Sequence, residues 1–527
     1  MNIHGRFGSR ATKARTGLIE RPSAWSGRLA GVFFALSTAL AGAEQPVGVD
    51  TLAVSPRPQV ELVGDGFVAL TKSGGPVRVS TRGASLRAPA VRAGVELLSV
   101  RLRQVGARFA PADDRSAALT LLKISADQMG ARLSEKAGEN PGGKRRDQAY
   151  LLESGGGRVT VTACSDLGLY YGLLSLIQIV GSDQENGPVV RAVTIADWPQ
   201  IACRLAKTSA SSNPPEKVAA FAAWLPLMKM NLIGLQYHGS QSKDPEPPFT
   251  RSIETLCPRF RREGVLESIV YFCPFRGRPG GAAGEREEAY DMSRESDRRA
   301  YADFLRWIMT QGAHGIEVDY NDWPGSPEVP IADVINSACA ALEAEHPDAY
   351  VLYCPPAAGR ESYRGMATEQ LGRTLSSVPT RVWPLWTGMQ TLITSPLETE
   401  QVERWTQIAG RRPFLWVNRV SLGVPKQFAR RLPGDGGYVF CGEYLPKDLN
   451  RWFEGVHFNA GISGGYNELR GEFEPRSMAY LATAADYVWN PRHWDAAESA
   501  RRARRFVAVM GPLLRAARGP DDDSAAP

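Results

Sequence analysis

The 527-residue sequence lacks several patterns that mark common classes of enzyme. Its seven cysteines are scattered, with no Cys-x-x-Cys pair and no metal-ligand spacing, which argues against a structural zinc site. No glycine-rich phosphate turn follows an early strand, as a dinucleotide-binding fold would require. We therefore expect neither a metal nor a cofactor, and we expect most of the cysteines to be small buried apolar residues.

A basic tract is also missing from most of the chain. The formal net charge is +6, but residues 1–43 contain six basic residues and one acidic residue, so they account for five of the six charges. The remainder is close to neutral and offers no cluster of Lys and Arg to neutralise phosphates. A nucleic-acid partner is therefore excluded.

The first 43 residues resemble an export signal. A basic stretch ends at Arg28, an apolar run covers 29–40, and Ala41-Gly42-Ala43 has the small-x-small pattern that signal peptidases cleave. The run is short for a membrane span, and no second run approaches that length. The sequence predicts a signal peptide over 1–43, a secreted or periplasmic protein, and no membrane contact after cleavage. An uncleaved anchor or a disordered leader is the alternative.

The rest of the chain divides into four regions. Residues 44–60 are predicted to be a linker and 61–190 a small α+β domain. Within that domain, strand-like segments at 149–153 and 158–163 flank a Gly-Gly-Gly turn, and an apolar helix follows over 168–179. Residues 195–495 are predicted to form a second domain, and 496–527 a basic helix with a disordered end.

The second domain alternates strand-like and helix-like segments. Apolar strand-like segments recur near 201–206, 231–237, 267–273, 315–319, 350–354, 379–385, 413–417 and 455–460. Helix-like segments separate most of them, for example at 215–229, 296–311, 331–345 and 398–409. Eight strands with helical crossovers predict an α/β fold, a (β/α)8 barrel of the TIM type. A doubly wound open sheet is the alternative, but it would be expected to carry the missing phosphate turn.

Three carboxylates cluster at the end of the fourth predicted strand. Ile316 and Val318 alternate with Glu317 and Asp319, so the two acids should share the face that points to the barrel axis. Asp322 follows after a short bend. Barrel enzymes build their sites at these strand ends, and crowded carboxylates raise each other's pKa, which suits a general acid. Acids held by arginine, or a calcium site, would give the same pattern.

Other strand ends carry aromatic, amide and polar side chains. We expect these residues to bind substrate: Tyr237, His238, Lys243, Trp386, Trp416, Asn418 and Asn459. Aromatic rings provide flat platforms for sugars, and amides bond hydroxyl or acetamido groups. The predicted partner is a glycan or glycoconjugate. The sequence does not indicate an oligomeric state.

At these positions the chain resembles glycoside hydrolase family 84, the β-N-acetylglucosaminidases that include O-GlcNAcases. The similar segments are Asp197-Trp198-Pro199, Lys229-Met230-Asn231, Lys243-Asp244-Pro245, Tyr353-Cys354-Pro355, Trp386-Thr387-Gly388, Trp416-Val417-Asn418 and Phe458-Asn459. The small domain looks like the one that precedes the barrel in many hexosaminidases. The resemblance implies a substrate-assisted, retaining glycosidase acting on β-linked N-acetylhexosaminides.

The same resemblance implies that Asp319 polarises the acetamido group. Asp322 would be the acid/base, because Tyr320 stands where the family has its second aspartate. The chain also departs from the family at Val417 and at Ala357-Ala358. Two alternatives follow: a glycosidase of different specificity that uses Glu317 with Asp319 or Asp322, and a barrel that binds carbohydrate without cleaving it.

Overall fold

The computed structural model describes most of the chain after residue 52. The described residues are 53–71, 75–183, 187–237, 247–272, 290–319, 331–355, 362–363, 366–388, 393, 396–422, 429–431, 438–462 and 464–518. Among the predicted site residues, His238, Lys243 and Asp322 lie outside them. No helix in these ranges is both long enough and apolar enough to cross a bilayer.

Over the described residues of 53–197, the first region is a mixed sheet with four helices. In chain order its elements are β1 (Val60–Ala69), β2 (Val77–Arg82), α1 (Pro89–Gln104), β3 (Phe109–Pro111), β4 (Leu119–Lys123), α2 (Ala126–Ala137), α3 (Gly143–Asp147), β5 (Tyr150–Gly155), β6 (Arg158–Ala163), α4 (Asp166–Ile179), β7 (Val180–Asp183) and β8 (Gly187–Asp197). The strand order is β1-β8-β5-β6-β4-β2-β3, and β7 pairs with β8. The predicted hairpin is the antiparallel pair β5–β6.

Helix α4 shows why its sequence is rich in glycine. A Cβ on Gly172 would lie 2.4 Å from Val161 Cγ1, and one on Gly168 would lie 2.5 Å from the Ala149 carbonyl oxygen. The two glycines therefore let the helix backbone approach the hairpin closely. Farther along the helix, buried Gln178 bonds the backbone nitrogen of Ser55 at 2.8 Å and its carbonyl at 3.0 Å. This contact fixes part of the segment predicted as a linker against the small domain.

The second region is a closed parallel barrel with helices around it. In chain order its elements are β9 (Cys203–Ser209), α5 (Pro215–Trp224), β10 (Leu232–Gln236), α6 (Pro247–Glu263), β11 (Glu267–Tyr271), α7 (Glu295–Thr310), β12 (Gly315–Asp319), α8 (Ile331–Glu343), β13 (Tyr350–Cys354), β14 (Ser362–Tyr363), β15 (Met366–Ala367), α9 (Thr368–Ser376), β16 (Val382–Trp386), α10 (Thr399–Ala409), β17 (Phe414–Ser421), β18 (Ala429–Arg431), β19 (Tyr438–Phe440), α11 (Leu449–Trp452), β20 (Gly455–Gly461), β21 (Tyr466–Asn467), β22 (Glu472–Phe473), α12 (Pro475–Trp489) and α13 (Ala496–Arg518).

Eight of these strands close the barrel in the order β9-β10-β11-β12-β13-β16-β17-β20, with β20 pairing back to β9. The predicted fold, a (β/α)8 barrel behind a small α+β domain, is confirmed. The short strands β14–β15, β18–β19 and β21–β22 form separate two-stranded ribbons.

A buried polar cluster joins the two regions. Lys229 Nζ lies 2.9 Å from Asp197 Oδ2, and neither side chain is exposed. The same carboxylate accepts hydrogen bonds from the Tyr150 hydroxyl at 2.7 Å and, at its other oxygen, from Trp489 Nε1 at 2.8 Å. Two segments of the family resemblance, at 197–199 and 229–231, thus meet at the junction between domain and barrel, and their role there is structural.

Helix α13, predicted as a basic helix in the tail, packs on the small domain. The Arg502 guanidinium donates to the Val54 carbonyl at 3.0 Å and pairs with Glu61 at 3.6 Å. Its side chain is 8% exposed, so this arginine belongs to the core of the molecule. The helix therefore holds the start of the small domain in place.

Candidate active site at the carboxyl end of the barrel

Asp319 is the last residue of β12, at the end of the barrel where sites of this fold form. Ile316 and Val318 pack in the core between strands and helices. Glu317 contacts residues from the opposite wall inside the barrel, and Asp319 shares its face by the alternation of strand residues. Asp319 is 4% exposed. The period-two pattern thus places both acids inside the barrel.

The neighbouring strand supplies a thiol to Asp319. Cys354 pairs with Asp319 in the parallel register of β12 and β13. Burial raises the pKa of this thiol well above its ordinary value, and the nearby Asp319 charge and a hydrogen bond to that carboxylate raise it further. The thiol therefore remains protonated and donates to Asp319, which helps to orient the carboxylate.

An ion pair lies on the same interior face below Asp319. Lys207 on β9 places Nζ 3.1 Å from Glu317 Oε1, and both side chains are completely buried. Burial raises the pKa of Glu317 to about 7; Lys207 opposes this rise, and the Asp319 charge adds to it. Glu317 is thus held by Lys207 and shares an electrostatic environment with Asp319.

Aromatic rings enclose the lysine. Lys207 Nζ lies 4.0 Å from the Trp416 ring centroid and 4.3 Å from that of Tyr271, within the range of cation–π attraction. The His457 ring stacks on Trp416 at 5.0 Å, with an interplanar angle of 11°. Burial and Lys207 lower the pKa of His457 well below its ordinary value, so its 3.9 Å approach to Glu317 is not an ion pair at neutral pH.

Gly234 on β10 makes room for this arrangement. It pairs with Lys207 across β9 and β10, and a Cβ there would lie 2.8 Å from Lys207 Cβ and 2.9 Å from its Cγ. Any larger residue would collide with the lysine where it enters the barrel. The glycine is therefore part of the site's construction.

Two predicted amides meet on the last two barrel strands. Asn459 Nδ2 donates to Asn418 Oδ1 at 3.2 Å. Asn418 is 7% exposed and Asn459 is half-buried. Each is two residues past an interior ring, Trp416 or His457, so both amides face the carboxyl end of the barrel. The pair can offer donors and an acceptor to a polar ligand.

The predicted aromatic residues are divided between the two sides of the barrel wall. Trp416 lies in the interior, over Lys207. Trp386 is fully buried in the outer core and stacks on Phe453 at 6.0 Å. Tyr237 belongs to the same outer core and packs on Phe249 and Phe272. Their strand positions send both rings toward the helices, and the assignment of Trp386 and Tyr237 to a sugar pocket stays a prediction.

Lys207 and His457 were not among the site residues predicted from the sequence. Lys207 shares strand parity with apolar Leu205, and a lysine on the inner face of a barrel strand is a usable signal for a buried charge. A glycine in the next strand, Gly234, is a second signal. Within the described ranges, no group of three or more His, Cys, Asp and Glu side chains could hold a metal ion.

Known proteins are similar to this chain both in the small domain and in the overall fold. Residues 52–198 match the family model for Glycosyl hydrolase family 20, domain 2. A search of curated protein sequences gives no match. Among solved structures, CpGH84B superposes with a TM-score of 0.61 at 15% identity, over 86% of this chain and 74% of that one.

Family 20 structures are equally prominent. The GH20 β-N-acetylhexosaminidase from Streptomyces coelicolor A3(2) has a TM-score of 0.60 at 15% identity, covering 90% of this chain and 99% of that one. The GH20 exo β-N-acetylglucosaminidase from Vibrio harveyi, solved with N-acetylglucosamine, gives 0.58 at 13%, over 88% and 78%. At these identities the likeness shows the shared two-domain fold and does not single out family 84.

Proposed function

We propose that the protein is a retaining glycoside hydrolase that cleaves β-linked N-acetylhexosaminides of the GlcNAc type with assistance from the substrate. The observation that carries the proposal is the buried Asp319 carboxylate at the end of β12, inside a closed barrel. The domain before the barrel matches a family 20 model, and the similar folds belong to proteins named as hexosaminidases. The finer assignment to family 84 rests on the sequence segments alone.

In this mechanism the acetamido oxygen of the substrate attacks the anomeric carbon. Asp319, as a carboxylate, accepts the acetamido N–H, orients the group and stabilises the positive charge that develops on it. Asp322 protonates the leaving oxygen and then activates water. The products keep the anomeric configuration without a bond between sugar and enzyme, an exception to the usual scheme of two carboxylates.

The other described residues of the site are consistent with these roles for Asp319 and Asp322. The amides of Asn418 and Asn459 provide neutral hydrogen bonds for sugar hydroxyls, which a pocket needs for orientation. The Cys354 thiol donates to Asp319 and so helps to fix the carboxylate. Glu317 has no exposed side-chain surface and bonds Lys207, so nothing favours it as the group that touches the sugar.

The direct test is turnover of aryl glycosides. We expect hydrolysis of aryl β-GlcNAc, with aryl β-glucoside a poor substrate because it lacks the acetamido group. Asp319→Asn and Asp322→Asn should each lose at least about a hundredfold in kcat. Asp303→Asn, which alters an exposed carboxylate on α7, is the control and should keep full activity. Sugar binding without turnover of any glycoside would instead support the carbohydrate-binding alternative.

Substrate assistance has its own test. A thiazoline that mimics the cyclised intermediate should compete with aryl β-GlcNAc, and Asp319→Asn should weaken its binding because the ring nitrogen loses its partner. Full activity of Asp322→Asn combined with a dead Glu317→Gln would mean that the acid has been assigned to the wrong residue.

We also propose that the protein is exported. The support is the order of basic, apolar and small-residue segments in residues 1–43. Secreted or periplasmic protein should begin at Glu44, and mass spectrometry of its N-terminal peptide checks this. An intact N-terminus on protein recovered outside the cytoplasm would argue for an anchor instead.

A further inference from the structure

The described interior positions of the barrel are mainly apolar, including Leu205, Leu232, Ile269, Leu352 and Leu385. Among them lies the fully buried ion pair of Lys207 and Glu317. Barrels of this type usually fill such positions with Val, Ile and Leu. A charged pair inside the barrel is therefore a departure that needs a reason.

A contribution to stability explains the buried ion pair poorly. Removing two charges from water is costly, and apolar residues of similar volume often stabilise a core as well or better. The lysine also requires Gly234 on the adjacent strand, and a glycine weakens a strand interior. The ion pair is more readily explained by an effect on the neighbouring carboxylate.

Asp319, the proposed catalytic carboxylate, lies next to the ion pair. Glu317 and Asp319 are alternate residues on the same face of β12, and the Asp319 charge raises the pKa of Glu317, so the two carboxylates interact. In the described part of the barrel, the titratable groups that face or influence them are Lys207 from β9, Tyr271 from β11, Tyr353 and Cys354 from β13 and His457 from β20.

Lys207 is the cation in this set. Burial and Lys207 keep His457 neutral, and burial keeps the Cys354 thiol protonated. While Glu317 is ionised, one ammonium and two carboxylates leave the site with a single net negative charge. As the pH falls through about 7, Glu317 takes up a proton and no longer cancels the charge of Lys207. An isolated Lys207 would place a buried positive charge beneath a reaction whose substrate becomes positively charged.

Resting on the function proposed above, we infer that Glu317 is a positioning residue that cancels the charge of Lys207 beneath Asp319, so that the reacting sugar meets one negative charge, on Asp319. Glu317 acts through the electrostatic field and does not touch the substrate. Lys207 in turn anchors Glu317 and the rings of Tyr271 and Trp416.

Three variants test this inference. Burial raises the pKa of Glu317 to about 7, so kcat of the wild type should fall as the pH drops through 7 and Lys207 loses its counter-charge. Glu317→Gln leaves Lys207 uncancelled at every pH, so this step should disappear. Above pH 7 its kcat should be about tenfold or more below that of the wild type, with KM little changed, because the loss is in the charged transition state. In Lys207→Met, Glu317 should take up a proton, so the net charge matches that of the wild type above pH 7. Lys207→Met and Lys207→Met/Glu317→Gln should therefore keep the high kcat and lose the step.

This pattern separates an electrostatic role from a structural one. Packing damage would lower kcat in all three variants, whereas the electrostatic role lowers it in Glu317→Gln alone. A step near pH 7 that persists in Glu317→Gln, or a kcat as low in the double variant as in Glu317→Gln, would overturn the inference while leaving the hydrolase function intact.

A second measurement does not depend on turnover. The infrared carbonyl band of protonated Glu317, identified as the band absent from Glu317→Gln, should appear in the wild type as the pH falls through about 7 and at higher pH in Lys207→Met. An unchanged titration in Lys207→Met would overturn the inference. If the wild type hydrolyses no glycoside, the proposed function fails and this titration still decides whether Lys207 and Glu317 set each other's charge.

Discussion

The buried pair at the junction between the small domain and the barrel gives a sharp prediction of stability. Lys229→Met keeps the length of the side chain but leaves the Asp197 carboxylate without its cation, and neither side chain is exposed. Breaking a buried ion pair by removing one partner typically costs about 3–5 kcal/mol. Tyr150 and Trp489 still donate to Asp197, so we expect a loss near 3 kcal/mol in the free energy of unfolding.

The chain contains a matched control. Lys123 and Asp166 have the same N–O separation of 2.9 Å, but their side chains are 33% and 36% exposed. Solvent screens such a pair, and Lys123→Met should cost less than about 1 kcal/mol. Equilibrium urea unfolding followed by circular dichroism measures both variants.

The double variant Lys229→Met/Asp197→Asn identifies the cause of the loss. It removes the uncompensated charge of Asp197 and should recover part of the unfolding free energy lost in Lys229→Met. The reasoning is refuted if Lys229→Met costs no more than Lys123→Met, or if adding Asp197→Asn only deepens the loss.

Three further predictions concern packing, protonation and binding. Gly172→Ala places a Cβ 2.4 Å from Val161 Cγ1 and should cost about 1–3 kcal/mol by overpacking; Gly142→Ala, which meets nothing within 4 Å, is the control in the same urea titration. Burial and the Asp319 charge raise the pKa of Glu317 from 4.5 to about 7, so the folded state binds this proton more tightly than the unfolded chain. Its stabilising contribution is complete below about pH 4.5 and is lost as the pH rises through 7; the unfolding free energy of the wild type minus that of Glu317→Gln should therefore fall across this window, and a constant difference would contradict it. Asn459→Ala removes a neutral donor and should raise KM for aryl β-GlcNAc by about tenfold with kcat nearly unchanged, whereas a pure kcat effect would place Asn459 outside the binding site.

The barrel could be predicted from the sequence because each strand is a short apolar run bounded by helical segments. The fourth and fifth strands were expected at 315–319 and 350–354, and the structure has Gly315–Asp319 and Tyr350–Cys354. A helix expected at 398–409 is Thr399–Ala409. These patterns are local, so they can be recognised in the sequence without knowing which elements pack against each strand or helix. The ribbon β18–β19 was not predicted, since its strands have three residues each and show little periodicity.

The site was predictable only where one strand carried all the information. Asp319 and Glu317 follow from alternation within β12. The same rule, applied from Val382 and Leu385, would have placed Trp386 on the outer face of the barrel wall. Lys207 is different, because its partner Glu317 is 110 residues away in sequence. Their contact exists only once the barrel closes through β9 and β20. The residue pattern of a single strand does not predict which distant strand will lie opposite it.

Two fully buried lysine–carboxylate pairs in the described part of the chain show why burial alone does not reveal function. Lys229 and Asp197 lie at the junction, and the carboxylate is also bonded by Tyr150 and Trp489, so the charges are compensated where no ligand could reach. Lys207 and Glu317 are as deeply buried, but a second carboxylate follows two residues later on the same face, at the end of the barrel where ligands bind. Exchange of the first pair for apolar residues should affect unfolding alone. Removal of Glu317 alone should change a pH–rate profile, because it leaves the Lys207 charge uncancelled beside Asp319.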